Sequence, residues 1–445
     1  MIWITWIGWP ALVVLTKVGA QGVPEDLLQW WSQPFLERFH AVRQEWAAQR
    51  QPVGLEDGLE EYRAVIHCHS FLSHDSRGTL PELLAAAHAT GTRVVMMTEH
   101  PSPERDVYAQ GGHGFHDGVL FIPGAETRNL LVWPRTLRDQ WEAPSRSAFV
   151  ERIRNDGGLV FICHPDSFDE WELPGVQGME IYNIHADALD DPELRGLWSG
   201  SLDFSRLLPV VQGFEQYPLE ALAAIFDEPQ EFVRRWDDLL QKGPLTGIAG
   251  NDAHQNTGWV LRVGEGRQLE IWSTLQEKLA VLEMERVPFF RERIISAPPG
   301  TEVARFQLDP YPLLFQFVGT YVLAPELSED AVRSALRAGR AYVAFDWLAE
   351  ARGFTAVLEG QGQRWTLGDR VAFQPGLRVR AEAPLEAHWR LVRNGTVVQT
   401  GAGRSFEAEP AEPGVYRLEV RLSALEREWP WIYANPFYLL AGPRE

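Results

Sequence analysis

The chain has 445 residues, 45% of them hydrophobic and 23% charged, which is enough for a sizeable core and two or three domains. Its formal net charge of −20 argues against a broad nucleic-acid surface, which needs clustered lysine and arginine, and against docking on anionic membranes. It leaves open an anionic substrate in a metal-lined pocket, because bound cations reverse the local field.

In chain order, residues 1–20 are apolar and tryptophan-rich, with Lys17 the only charged side chain and Val18-Gly19-Ala20 a small-residue end. That pattern suits a cleaved export signal and is short for a membrane span. An uncleaved anchor and a misassigned start are the alternatives. Cleavage would place the protein outside the cytoplasm, in the periplasm or beyond; without it the chain is cytoplasmic. Residues 21–60 read as amphipathic helix, with Trp30, Trp31, Phe35, Phe39 and Trp46 as core contacts.

From about 60 to 260, short apolar strands alternate with helical segments. The expected strands are 64–67, 93–98, 119–123, 159–163, 178–182 and 245–249. The expected helices are 80–89, 147–155 and 219–241. The alternation predicts a parallel α/β sheet or barrel. Residues 328–337 read as a helix, with Ser328 as N-cap and Gly339 past its end, and 342–347 as a strand. From 351 the pattern becomes all-β, and Asn394-Gly395 is a hairpin turn signal. Trp389, Trp429 and Trp431 in this tail read as packing residues, with a carbohydrate platform as the other possibility.

The chemistry lies at the strand ends. His67-Cys68-His69 closes the first strand, and Ser73-His74-Asp75 follows. Later strands run into Glu99-His100, Gly124-Ala125-Glu126, His164-Pro165-Asp166, Asn183 with His185, and Asp252-Ala253-His254. Parallel strands put these ends on one rim, and gathering so many polar groups without a cation would be costly. Cys68 and Cys163 read as small buried hydrophobes, not a disulfide framework, with thiol ligands as the other possibility, although strand alternation turns Cys68 away from its histidine neighbours. His113 and His116 lie in a glycine-rich loop and are left outside the metal set.

Together these motifs resemble the PHP (polymerase and histidinol phosphatase) family of metallohydrolases, over roughly residues 60–260 and in the family's order. The resemblance implies a distorted (β/α)7 barrel over residues 21–350, followed by a small sandwich-like β domain over 351–445. It implies two or three divalent metals, of zinc, manganese or iron type. One would be held by His67, His69, Glu126 and Asp252, a second by Glu126, His164 and His185, and a third by Asp75, His100 and His254. His74 is the alternative to Asp75. The family's Thr-Asp-His reads Thr98-Glu99-His100 here, one methylene longer.

Two close metals activate a bridging water and clamp the reacting oxygens, which suits phosphoester hydrolysis. Glu126, Asp252, His254 and Arg128 are expected to serve catalysis, with Arg128 reaching the phosphate if its strand continues past Glu126. Arg77 and Arg262 are further phosphate-binding candidates. The expected partner is a small, phosphorylated molecule, with no nucleic acid and no stable membrane span. Carbamate, ester or amide hydrolysis on the same site, and a non-catalytic metal-stabilised module, are the rival readings.

Overall fold

A computed structural model describes residues 27–102, 104–136, 143–190, 204–283 and 291–441. The expected export signal lies outside the described residues. Among the described residues, no helix is long and apolar enough to cross a membrane.

The fold is mixed α/β with a large sheet. Its first strands are β1 (Glu60–Cys68), β2 (Val94–Met96), β3 (Gly114–His116), β4 (Val119–Ile122), β5 (Ala125–Thr127), β6 (Leu130–Trp133), β7 (Leu159–Ile162), β8 (Gly178–Asn183) and β9 (Thr246–Ala253). Parallel pairings join β7 to β8, β8 to β9, β9 to β1, β1 to β2 and β2 to β4. Antiparallel pairings join β5 to β6 and β6 to β7. A parallel bridge from Glu99, just past β2, to Ala125 of β5 continues the β2–β4 register into β5. The C-terminal ends of the parallel strands therefore come to one side, which is where the histidines and carboxylates lie.

The parallel strands are buried on both faces, as unbroken apolar runs such as Leu159–Ile162 require. One core cluster contains Ile66, Met96, Ile122, Phe161 and Ile248, closed by Val332 and Leu336 of the helix Glu329–Ala338. Neighbouring residues Val65 and Cys68 face the other, larger cluster. The helix Glu329–Ala338 has the expected ends: the Ser328 hydroxyl accepts from the Ala331 N–H, and Gly339 is left-handed.

Several expectations are corrected. The helix expected over 219–241 is three pieces, Pro218–Leu222, the 3-10 turn Ala223–Ile225 and Gln230–Leu240. Pro229, which has no N–H to donate, sits at the break as the N-cap of the last piece. The strand expected over 342–347 is Ala341–Ala344, because Asp346 turns inward to accept from Arg63 Nε and Tyr321 Oη, each at 2.8 Å. A second sheet of β10 (Gly258–Val263), β11 (Leu269–Ser273), β12 (Lys278–Leu282) and β13 (Glu302–Gln307) had no expected counterpart.

Strand β14 (Gly319–Ala324) runs antiparallel to β1 and to β15 (Ala341–Ala344), and β15 pairs with the tail strand Arg427–Ala434. In the tail, Asn394 and Gly395 have φ of 50° and 79°, the two positive values a two-residue hairpin turn needs. Trp389, Trp429 and Trp431 are fully buried, so their rings pack and present no sugar platform. Trp30, Trp31, Phe35, Phe39 and Trp46 are likewise core.

Candidate metal centre

Asp252 stands where β9 meets the end of β1. The β1–β9 register shifts between Ile66 and Cys68, and this bulge turns His67 and Asp252 toward each other. His67, His164 and Asp252 have φ of 73°, 48° and 45°. Left-handed conformations at non-glycine residues cost roughly 1–3 kcal/mol each, so the surrounding structure holds these three side chains where they are.

The four residues His67, His69, Glu126 and Asp252 bring one ligand atom each to within 4.8 Å of one another. His67 Nε2 lies 3.0 Å from Glu126 Oε2 and 3.1 Å from Asp252 Oδ1. His69 Nε2 lies 3.3 and 3.4 Å from the same two oxygens. The other Glu126 oxygen, Oε1, is 2.9 Å from His164 Nε2. Glu126 thus faces one pair of imidazoles with one oxygen and a third imidazole with the other.

His185 departs from expectation. Its Nδ1 lies 3.2 Å from Asp252 Oδ2, and it groups with Asp252 and His254 instead of Glu126 and His164. The cause is local: the Asn183 side chain accepts from the Ala186 N–H, starting the helix Ile184–Asp190 directly after β8 and setting His185 on its first turn. Asp75 Oδ2 stands between His100 and His254, 3.4 Å from Nε2 of each. His74 is largely exposed, 3.9 Å from Asp75 Oδ1, and within reach of a group with Asp75 and His100.

The outer hydrogen bonds fix the imidazole tautomers. His67 Nδ1 donates to Glu180 Oε1 at 2.6 Å. Ser73 Oγ gives its only proton to Glu99 Oε2 at 2.7 Å, so it accepts from His69 Nδ1 at 3.0 Å. His254 Nδ1 donates to the Asp252 carbonyl at 2.9 Å. All three rings therefore turn Nε2 toward the cluster.

The charges are interlocked. Burial alone would raise Asp252 and Glu126, but the imidazoles around them, His67 foremost, hold both well below the carboxylate range. Burial would depress His254 and His164, but Asp252 and Asp75 lift His254 to about 9, and Glu126 and Asp252 lift His164 to about 9. His69 is instead depressed, by burial and by the stacked His254 ring, whose centroid is 4.0 Å away. Both Asp252 oxygens and His69 Nε2 are buried yet have no hydrogen bond of acceptable geometry. Orphaned atoms of this kind cost about 1–3 kcal/mol each, and a divalent cation among them would satisfy all three. The donor set is therefore compatible with divalent metals.

One residue that holds the site, Glu180, went unrecognised in the sequence. Glu180 is fully buried in β8 and accepts from His67, from the His164 N–H at 3.0 Å and from Asn183 Nδ2 at 2.9 Å. A charged residue in the middle of a wholly buried strand was the signal for it. Cys163 Sγ lies 3.7 Å from Glu126 Oε1 and groups with Glu126 and His164; burial and the neighbouring carboxylates push its thiol well up.

The arginines lie elsewhere. The strand does not continue past Thr127: Arg128 and Asn129, with φ of 60° and 57°, form the turn into β6. Arg128 instead donates to the Ala143 carbonyl and lies over the Phe149 ring. Arg77 donates to the His74 and Ser76 carbonyls, and Arg262 donates to Gln276 and covers Trp272. In the glycine-rich loop, His116 Nε2 meets the His113 carbonyl at 3.0 Å on the outer strand of the β3–β4 hairpin.

No family profile matches the chain, and no curated protein matches it. Among solved structures it is similar to a two-domain protein from Bacteroides vulgatus ATCC 8482 containing a predicted PHP-like metal-dependent phosphoesterase. The identity is 13% and the TM-score 0.33, over 86% of this chain and 98% of that chain.

Proposed function

We propose that the chain is a metal-dependent hydrolase of the PHP type, acting as a phosphoesterase on a small molecule. In this reading the closed ladder of β1–β9 is the distorted (β/α)7 barrel, and residues 351–445 form the sandwich-like tail. One observation carries it: His67, His69, Glu126 and Asp252 converge within 4.8 Å while both Asp252 oxygens lack hydrogen bonds.

His67, His69, Glu126 and Asp252 would hold one cation. Glu126, through its second oxygen, would share another with His164, with His185 approaching from the Asp252 side. Asp75, His100 and His254 would hold a third. Divalent cations there supply Lewis acidity to phosphoryl oxygens and lower the pKa of water. The protein's own part is to fix the imidazoles with Nε2 inward, through Glu180, Ser73 and the Asp252 carbonyl, and to keep the carboxylates ionised.

The test is a panel of phosphate, carboxyl and carbamate esters, offered to the metal-stripped protein with Mn²⁺, Zn²⁺ or Fe²⁺. Metal-dependent turnover of phosphate esters, lost in Glu126→Ala, is expected. Turnover confined to carboxyl or carbamate esters would move the reading to that class. Fewer than one transition metal bound per chain would sink it.

A further inference from the structure

A cavity of about 300 Å³ opens beside the histidine cluster, and His185, Asp252 and His254 form one end of it. Its remaining wall is mostly apolar, built by Val210, Phe214, Leu222, Leu308 and Leu314. No lysine or arginine is among its described lining residues. The polar side chains on it are largely committed. Asn256 donates to the Asp75 carbonyl, and Asp309 accepts from the Asn256 and Thr257 N–H groups, each at 2.9 Å. Asn251 donates through Nδ2 to the Leu314 and Val318 carbonyls, and its buried Oδ1 is the one acceptor left unpaired among these side chains.

From this wall we infer that the substrate is an ester of an apolar, uncharged group, seated in this cavity with its reacting end toward His185, Asp252 and His254. The inference rests on the hydrolase reading and adds the substrate class to it. A phosphate esterified to a sugar or a nucleotide would bury hydroxyls or charges against Phe214, Leu222 and Leu308, with few uncommitted partners to meet them. An aryl or branched alkyl group loses nothing there and gains from leaving water. The size agrees, since cavities for small ligands run from roughly 300 to 1,000 Å³.

Calorimetric titration of the Mn²⁺-loaded protein with phenylphosphonate and methylphosphonate tests this, because neither is hydrolysed and they differ only in the apolar group. Phenylphosphonate is expected to bind at least about tenfold more tightly, as burial of one aromatic group predicts. The ratio should fall below about threefold in Phe214→Ala, and also in Leu279→Gln at the exposed rim, a position that leaves the core intact. Equal binding of the two ligands, or a ratio unmoved by both variants, would overturn the assignment. Turnover of benzyl phosphate is read separately. A phenyl preference without any phosphate ester hydrolysis would keep the cavity assignment and remove the phosphoesterase reading.

Discussion

Glu180 Oε1 lies 2.6 Å from His67 Nδ1, and the second oxygen of the same carboxylate receives the backbone N–H of His164. One buried side chain thus orients an imidazole from β1 and anchors the turn that carries an imidazole from β7. Replacing it should weaken metal binding without removing any ligand. Partners of this kind are worth about 10–100-fold in metal affinity. Glu180→Ala should show that loss in a Zn²⁺ titration, and Glu180→Gln a smaller one, since an amide oxygen still accepts from His67. Equal affinity in all three proteins would remove Glu180 from the site.

Gly250 makes room for that carboxylate. A Cβ at position 250 would come within 2.2 Å of Glu180 Oε1. Gly250→Ala must therefore push Glu180 off His67 or distort β9. Overpacking of this sort costs about 1–3 kcal/mol. Urea unfolding should register that loss, and the metal affinity should drop alongside it. The double variant Gly250→Ala/Glu180→Ala should recover the stability but not the affinity.

Removing metal should destabilise the fold. A cation present at a hundred times its Kd stabilises the native state by about 2.7 kcal/mol. Adding Zn²⁺ or Mn²⁺ to chelator-stripped protein should raise the urea midpoint. Asp252→Asn should blunt the gain, because it removes a carboxylate oxygen from the group of four. A midpoint indifferent to metal would contradict the site.

Away from the site, burial lifts the Glu61 carboxyl from 4.5 to about 7, although the Tyr342 hydroxyl and the Gly353 N–H both donate to it. The folded value lies above the unfolded one, so the fold favours the protonated form. Its contribution is complete below pH 4.5 and is lost as the pH rises through 7. From this residue alone, stability should fall across that window by at most roughly 3 kcal/mol. The difference in unfolding free energy between wild type and Glu61→Gln, measured from pH 4 to 8, should trace that fall. A flat difference would rule it out.

The candidate metal-holding residues stood out because most of them follow closely on an apolar run, where a charged or imidazole side chain contradicts its surroundings. His67, His69, Glu126 and Asp252 needed only that and the parallel order. His185 stands beside other neighbours than expected because its direction depends on the Asn183 cap, a local hydrogen bond that no spacing rule carries. Arg128 was misread because Arg128-Asn129 lacks the glycine that usually announces a two-residue turn. Pro229 should have ended the long helix expected over 219–241. The β10–β13 sheet was missed because half-exposed runs such as Lys278–Leu282 offer no clear alternation. Glu180 escaped because it lies within β8 and not at a strand end, so its charge inside a wholly buried strand was the single mark of it.

The pairing of β15 with Arg427–Ala434 has a consequence for how the chain can be cut. β15 lends one side to β14 and the other to the tail. A chain ending at residue 350 would leave that second side as an open strand edge and strip Trp429 from one edge of the Trp347 ring. Such a fragment would offer a sticky ribbon to its own copies, so residues up to 350 are expected to stay monodisperse only in company with the tail.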